Sequence, residues 1–504
     1  MLEQLRLAAL MASISLATDL GMGQPLEQAL RTCLLATGLG ERLGLHGEEL
    51  SDVYYVALLR FLGCTADAHE TAALTGDDIA FRAAVAPVFG AGMPEFMRGV
   101  AGSIGAGDSA PRRAARVAVF MTRGAAAMKQ GVASHCEVGE GLARRIGLPE
   151  GVRHGLSHAF ERWDGGGFPG GVKGEAIALP ARVVVVARDA EVLDRALGPE
   201  AAVDAIRRRS TAGTYDPSVA AAFSRHGGEV LDRLQGQSVW DAVLAAEPEP
   251  HPWVPASRLD GVLEAFADFI DLKSVFTAGH SRGVAQLVEG DLLRRAALVH
   301  DLGRASVPTS IWDKPGPLSI GERERVRLHA YYSERILRHS RVLEPLAELA
   351  GMHHERLDGS GYHRGCRAPE IPAAARRLAA ADAYQAMTQP RPQRPALAPD
   401  AAAAELEKEA AAGRLDAEAV AEILTAAGHR RRVPRREWPA GLTEREVDVL
   451  RLVARGASKK EVGRDLHISP STADHHLRHI YDKTGVRSRA GLTLYAIEAD
   501  LLAI

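Results

Sequence analysis

The residues best equipped for chemistry are imidazoles and carboxylates set into otherwise apolar helical phrases. His300 and Asp301 interrupt "LVHDLGR", Leu298 to Arg304, and His280 sits in "TAGHSRGVA". His329 lies in "RLHAYYSERIL", His353 and His354 in "GMHHERLDGSGY", and Asp382 in "AAADAYQAM". Adjacent polar groups in the middle of an apolar helix are costly unless something compensates them. A lone histidine in such a place is usually a satisfied core residue. Five histidines and two aspartates on separate helices are better explained by convergence on a shared inorganic centre. Imidazole mixed with carboxylate suits Fe, Mn, Zn or Ni, whereas Ca or Mg would favour oxygen ligands alone. An aspartate next to a histidine can bridge two cations, and paired cations activate hydroxide and clamp the oxygens of a phosphoester. Two divalent transition metals acting on a phosphoester are therefore the predicted chemistry.

The elements that must position these groups are helices. Apolar residues recur with a 3.6-residue period in "LEAFADFI", "LLRRAALVHDL" and "DAEAVAEILTAA". They also belong to a repeat. "ERWDGGGFPGG" (Glu161 to Gly171) matches "ERLDGSGYHRG" (Glu355 to Gly365), and His135 meets His329 at the same offset. "LLRFLG", Leu58 to Gly63, matches "LVHDLG" at a larger offset, so the first copy carries an insertion near residues 65–133. "RVVVVA" could pass for a strand, but its counterpart "RRLAAADA" is helical in composition, and both read as one buried helix.

Carrying the alignment back shows what the first copy has lost. His300 and Asp301 become Arg60 and Phe61, His353 and His354 become Ala159 and Phe160, and Asp382 becomes Arg188. Only His135 persists. This half cannot hold the same metals, and Arg60 and Arg188 are expected to neutralise the remnant pocket through carboxylates or an anionic effector. A rival metal site from Cys64, Asp67, His69 and Glu70 with His135, Cys136 and Glu137 has the residue types for zinc. Incidental loop polarity is the better reading of it.

A chain of 504 residues is too long for one ordinary domain. Its net charge of −3 rules out a general polycation, so any contact with nucleic acid must be local. The four cysteines show no CxxC spacing, which suits a reducing cytoplasm. The apolar start "LRLAALMASISLATDL" has no clear cleavage site and reads as a packed helix, and no apolar run reaches membrane-spanning length. The expected divisions are a degenerate unit at 1–245, a Pro- and Glu-rich linker at 246–257 and a metal-binding unit at 258–428. A basic linker at 429–440 and a small unit at 441–504 complete them.

That last unit is punctuated by helix caps. Thr443 with Glu446 and Ser458 with Glu461 form capping boxes, and Ser469 precedes Pro470 as an N-cap. Gly456 and Gly485 fit helix ends. Ala473, Leu477 and Ile480 make the inward stripe of the third helix, leaving Asp474, His475, Arg478 and Asp482 on the face that could enter a major groove.

These motifs carry two resemblances. Residues 260–427 resemble an HD-GYP domain, a branch of the HD metal-dependent phosphohydrolases associated with cyclic di-GMP phosphodiesterases. The carried positions are His280, the doublet His300-Asp301, His329, the pair His353-His354, and Asp382, with "KPGPLS" and "HHERLDGSGY" matching as well. The resemblance implies these seven as metal ligands, with Asp301 and Arg304 as catalytic groups. The family's GYP reads Gly361-Tyr362-His363 here, and Arg304 stands where the family has lysine. Residues 439–504 resemble a LuxR-type four-helix DNA-binding domain. That match implies contacts to promoter DNA from Lys459, Lys460, Thr472, His475, Arg478 and Lys483, with a homodimer reading two half-sites. The expected architecture is all-α: two tandem HD-type helical domains, then a helix-turn-helix domain without a wing. The expected function is transcriptional regulation through a unit that senses or hydrolyses a nucleotide or phosphoester ligand; the alternative is a phosphodiesterase with an accessory DNA-binding tail.

Overall fold

The computed structural model describes residues 4–234, 238–428 and 438–502. The basic run "RRRVPRR" of the expected linker at 429–440 lies outside the described residues. Among those described, helices make up the architecture, and the one sheet pairs two short strands, Gln4–Arg6 and Trp253–Pro255. The chain divides into two compact units, Met1–Val262 and Leu263–Ile504, so the boundary falls inside the helix Leu259–Asp271. The Pro- and Glu-rich stretch is accordingly no free tether. Its Val254 pairs with Leu5, and buried Glu247 accepts hydrogen bonds from Arg6 Nε and from Tyr55 at 2.5 Å. No described helix is long and apolar enough to cross a membrane.

In the first unit the helix Leu7–Gly21 is buried on nearly every side, which is why its sequence is apolar all round rather than amphipathic. The helix Leu179–Leu197 contains "RVVVVA". Its β-branched run is accepted because Val183, Val184, Val185 and Val186 are all buried, and packing overrides their modest helix propensity. Gly198, at φ +87°, closes it. The insertion folds as a satellite around Phe81, Val88, Val100, Ile104 and Phe120, and feeds into the long helix Ala110–Ile146 that carries His135. The rival cluster is not assembled as a metal site, since Asp67 is engaged by Arg82 at 2.8 Å.

The repeat is visible as repeated geometry. A Cβ on Gly63 would stand 1.9 Å from the carbonyl oxygen of His135, and one on Gly303 would stand 1.9 Å from that of His329. Gly167 and Gly361 are pressed in the same way against the backbone of Arg162 and Arg356. Glu161 accepts the Gly170 N–H, and Glu355 accepts those of Arg364, Gly365 and Cys366. At the front of each copy a buried aspartate fastens the next helix: Asp19 accepts from Ala29 N at 3.0 Å, Asp271 from Ser281 N at 2.7 Å. That correspondence sets Gln28 where the second copy has His280, a pairing the sequence alone did not reveal.

Two outcomes follow. Gly63→Ala and Gly303→Ala should each destabilise their own unit by about 2–3 kcal/mol, because backbone rather than a flexible side chain must move. Gly303→Ala alone should also reduce metal retention, and equal thermal stability to wild type in either variant would contradict this. His135 is the second case. Burial holds its pKa down at about 4 against an ordinary 6.5, while its Nε2–H donates to Arg60 O at 3.1 Å. The folded state thus prefers neutral imidazole, so this stabilisation is complete above pH 6.5 and is lost as pH falls toward 4. Wild type should lose about 3 kcal/mol more than His135→Gln over that window. Denaturant unfolding at both ends measures it, and equal losses would contradict it.

Candidate metal centre and nucleic-acid interface

Helix ends build the centre. His300 follows the helix Asp291–Val299, and His353 follows Glu344–Met352. Each donates Nδ1–H to the carbonyl three residues back, His300 to Ala297 at 2.7 Å and His353 to Ala350 at 2.5 Å. His329, inside Ile320–Arg338, does the same to Val326. The bonds from His300 and His353 satisfy carbonyls near helix ends, and all three turn Nε2 inward. Gly303 lets the turn Leu302–Ser306 close on the helix of His329, where its N–H donates to Ser333 Oγ at 2.9 Å.

The inward atoms surround Asp301. Its Oδ1 is 3.4 Å from His329 Nε2 and 3.5 Å from His353 Nε2; its Oδ2 is 3.2 Å from His300 Nε2 and 3.7 Å from His280 Nε2. Asp382, from the helix Ala373–Thr388, brings Oδ1 to 3.0 Å of His280 Nε2 and Oδ2 to 3.6 Å of His354 Nδ1. All seven predicted ligands therefore come together. They form three overlapping groups with metal-ligating reach: His329, His353 and His354; His280, His300 and Asp382; and His300, Asp301 and His353. Both oxygens of Asp301 and the Nε2 of His300 are buried without a hydrogen-bond partner. Unsatisfied donor atoms of this chemistry, in overlapping triads, fit transition-metal ions.

Electrostatics sharpen the point. Burial pushes Asp301 toward neutrality, but Arg304 and His300 outweigh it and hold the carboxyl well below its usual range. Burial likewise opposes charge on Asp382, and the hydrogen bonds from His280 and His300 overcome it. Burial lowers His280 and His353 to about 4, so both imidazoles are neutral near pH 7. His300 is the exception: despite burial, Asp301 and Asp382 raise it to about 10.

Arg304 lies in the site but not free in it. Its Nε is 3.0 Å from Asp301 Oδ2, and its guanidinium stacks over Trp312 at 4.8 Å. Sequence reasoning missed three neighbours. Gln389 Oε1 faces His280 Nδ1 at 2.9 Å and orients that ring. Arg391 donates to Phe276 O at 2.9 Å, and burial together with Arg304 lowers its pKa to about 10. Tyr362 packs its ring 4.6 Å from that of His354. Only Tyr362 lay in a quoted motif; Gln389 and Arg391 sit in "TQPRPQR", which reads as a plain turn. His363, in place of proline, points away toward Tyr331 and Glu334.

The helices Glu444–Ala454, Lys459–Asp465, Pro470–Thr484 and Arg489–Glu498 form the small helical unit. Both capping boxes form, and Ser469 Oγ accepts from Thr472 N at 3.0 Å. Ala473 and Ile480 are buried and Leu477 is half-buried, while Lys459, Lys460, Thr472, His475 and Arg478 are exposed. Lys483 is drawn to Glu446 at 2.7 Å and Gly441 O at 3.0 Å, so it braces the first helix of this unit. Asp474 pairs with Lys459 and, at 3.2 Å, with Arg478.

Comparisons with known proteins agree with this geometry. The HD domain family matches residues 125–219 and 285–419, and the luxR family of bacterial regulatory proteins matches 440–496. A 3'3'-cGAMP-specific phosphodiesterase 3 of Vibrio cholerae is 32% identical over 418 residues, 80% of this chain and 90% of that protein. A cyclic di-GMP phosphodiesterase of Thermotoga maritima is 43% identical over 99 residues, 19% of this chain and 27% of that protein. The crystal structure of a cyclic GMP-AMP-specific phosphodiesterase from V. cholerae superposes with a TM-score of 0.58 at 28% identity, covering 85% of this chain and 99% of that one.

The Asp474 pairing sets a measurable expectation for DNA. Asp474→Asn should free Lys459 and Arg478 for phosphates, tighten binding several-fold and steepen the salt dependence by about 1–2 in log–log slope. Fluorescence anisotropy across a salt series reads both, and an unchanged slope would contradict it. Duplicated geometry, a converged histidine–aspartate centre and a capped helix-turn-helix thus have one common explanation: the chain belongs to the HD-GYP phosphodiesterases, here joined to a LuxR-type DNA-binding domain.

Proposed function

We propose that the second unit binds two divalent transition metals and hydrolyses a cyclic dinucleotide, and that the state of this site governs binding of promoter DNA. The observation that carries the reading is the convergence of seven candidate ligands in overlapping triads at a buried carboxylate whose oxygens make no hydrogen bond. When bound, such metals would generate hydroxide and stabilise charge on the phosphoryl oxygens. His280, His300, His329, His353, His354, Asp301 and Asp382 would hold them. The protein's own contribution is positioning. Nδ1–H bonds to Ala297, Val326 and Ala350 lock three imidazoles, and Gln389 orients His280. Arg304 and Arg391 keep the surroundings positive, favouring a phosphodiester anion. Tyr362 offers a ring beside His354 on which a base can stack. The nature of the relatives supports a 3'3'-cGAMP-type substrate over other phosphoesters.

Coupling to DNA has its own support within the second unit. A Cβ on Gly279, next to His280, would stand 3.6 Å from Leu502, and one on Gly456 would stand 3.0 Å from Val275. The DNA-binding helices thus lean on the segment that delivers a metal ligand. A homodimer in the cytoplasm completes this reading, because two half-sites raise affinity by linkage where Asp474 limits each one. The second reading, a phosphodiesterase whose DNA-binding tail merely places it, lacks a role for that contact.

The test incubates the purified full chain with Mn²⁺ or Fe²⁺ and follows conversion of 3'3'-cGAMP and cyclic di-GMP to linear products. Metal-dependent turnover that falls to background in Asp301→Ala is expected, with promoter retention that changes when ligand is added. Turnover undiminished in Asp301→Ala contradicts the site assignment. Turnover with ligand-independent DNA retention favours the second reading.

A further inference from the structure

The degenerate first unit has replaced a cation-binding pocket with an oversupply of cations. Arg60 and Arg188 are 3% and 5% exposed, and their guanidiniums converge over the same rings. Arg60 lies 5.0 Å from the centre of Phe160, 5.7 Å from Phe61 and 5.9 Å from Phe89. Arg188 lies 5.5 Å from Phe89 and 5.9 Å from Phe61. Arg188 is partly satisfied, since its Nη1 donates to Asp189 Oδ1 at 2.6 Å and Ala86 O at 2.9 Å. Arg209 donates to Pro87 O and Phe89 O and stands 3.8 Å from Asp189. Tyr215 donates to the same carboxylate at 2.6 Å. One buried carboxylate therefore meets two of the three guanidiniums and leaves Arg60 without an ion-pair contact; Glu95 reaches only Arg209, at 3.7 Å, from an exposed position.

Arg60 bears the deficit. Its Nε and Nη1, like the Nε of Arg188, are buried without a hydrogen-bond partner. Ring faces attract a cation but accept no in-plane N–H bond. A buried charge left unpaired costs more than that attraction returns. Burial and the like charge of Arg188 together pull the Arg60 pKa down to about 10. Phe89 and Phe160 are only half-buried, so part of this aromatic wall reaches the surface.

We propose that this pocket is an anion-binding site, in which Arg60 and Arg188 grip the phosphate of a small ligand between aromatic walls. The planar fork of arginine matches two oxygens of a phosphate, and the phenylalanine rings suit a flat base attached to it. A phosphate supplies acceptors for the orphaned nitrogens and the negative charge that Asp189 alone does not.

The test is equilibrium dialysis of the full chain against labelled inorganic phosphate and, separately, labelled AMP. Wild type is compared with Arg60→Met, Arg60→Lys and, as a control at the metal centre, Arg304→Met. One saturable site per chain is expected to weaken at least tenfold in Arg60→Met and to persist in Arg304→Met. AMP binding tighter than phosphate identifies a nucleotide held by its base; equal affinity identifies the inorganic anion. Thermal unfolding gives a second readout. Without anion, Arg60→Met should melt higher than wild type, because an unpaired buried charge is gone, and added phosphate should raise wild type only. Should Arg60→Met fail to fold, Arg60→Lys carries the test, since it keeps the charge but loses the fork. No saturable site in wild type, or a site unchanged in Arg60→Lys, overturns the proposal.

Discussion

The second unit is organised around one costly choice, a fully buried carboxylate at Asp301. Its two oxygens are approached by four imidazole nitrogens between 3.2 and 3.7 Å, and neither oxygen makes a hydrogen bond. A carboxylate so placed would neutralise itself if burial acted alone. Arg304 and His300 keep it charged. The surrounding elements follow from that need. Three helices turn Nδ1–H onto their own carbonyls so that Nε2 faces inward, and Gly303 gives up its side chain so that Asp301 can sit against the helix of His329.

The first unit shows the same scaffold solving the opposite problem. Gly63 still meets the His135 carbonyl, Glu161 still ties its loop, and Asp19 still fastens the next helix. With Phe61 in place of the central aspartate, there is nothing to bind a cation, and arginines with aromatic rings fill the space. The two copies share their backbone constraints while their pocket residues differ. A fold held by glycine contacts and buried aspartates can exchange the chemistry of its pocket without losing its shape.

Much of this was legible in the chain. The histidine doublets, the glycine phrases and the capping boxes mark positions where one residue type does a job no other can, and each of those signals is local. Arg391, Gln389 and the Gln28–His280 correspondence were not legible, because they act across the fold and sit in phrases with no pattern of their own. The reading of residues 246–257 as a linker followed composition correctly but could not see the N-terminal strand that Trp253–Pro255 completes. Lys483 shows what a lone cation in a sequence leaves out: its pairing with Glu446 at 2.7 Å acts across the unit.

The central claim is that the seven side chains hold transition metal. Elemental analysis of full-length protein, purified without oxygen and without chelators, tests it most directly. The account predicts close to two transition-metal ions per chain in wild type and a sharp loss in Asp301→Ala. Metal-free wild-type protein that also fails to take up Mn²⁺, Fe²⁺, Zn²⁺ or Ni²⁺ on titration would contradict it.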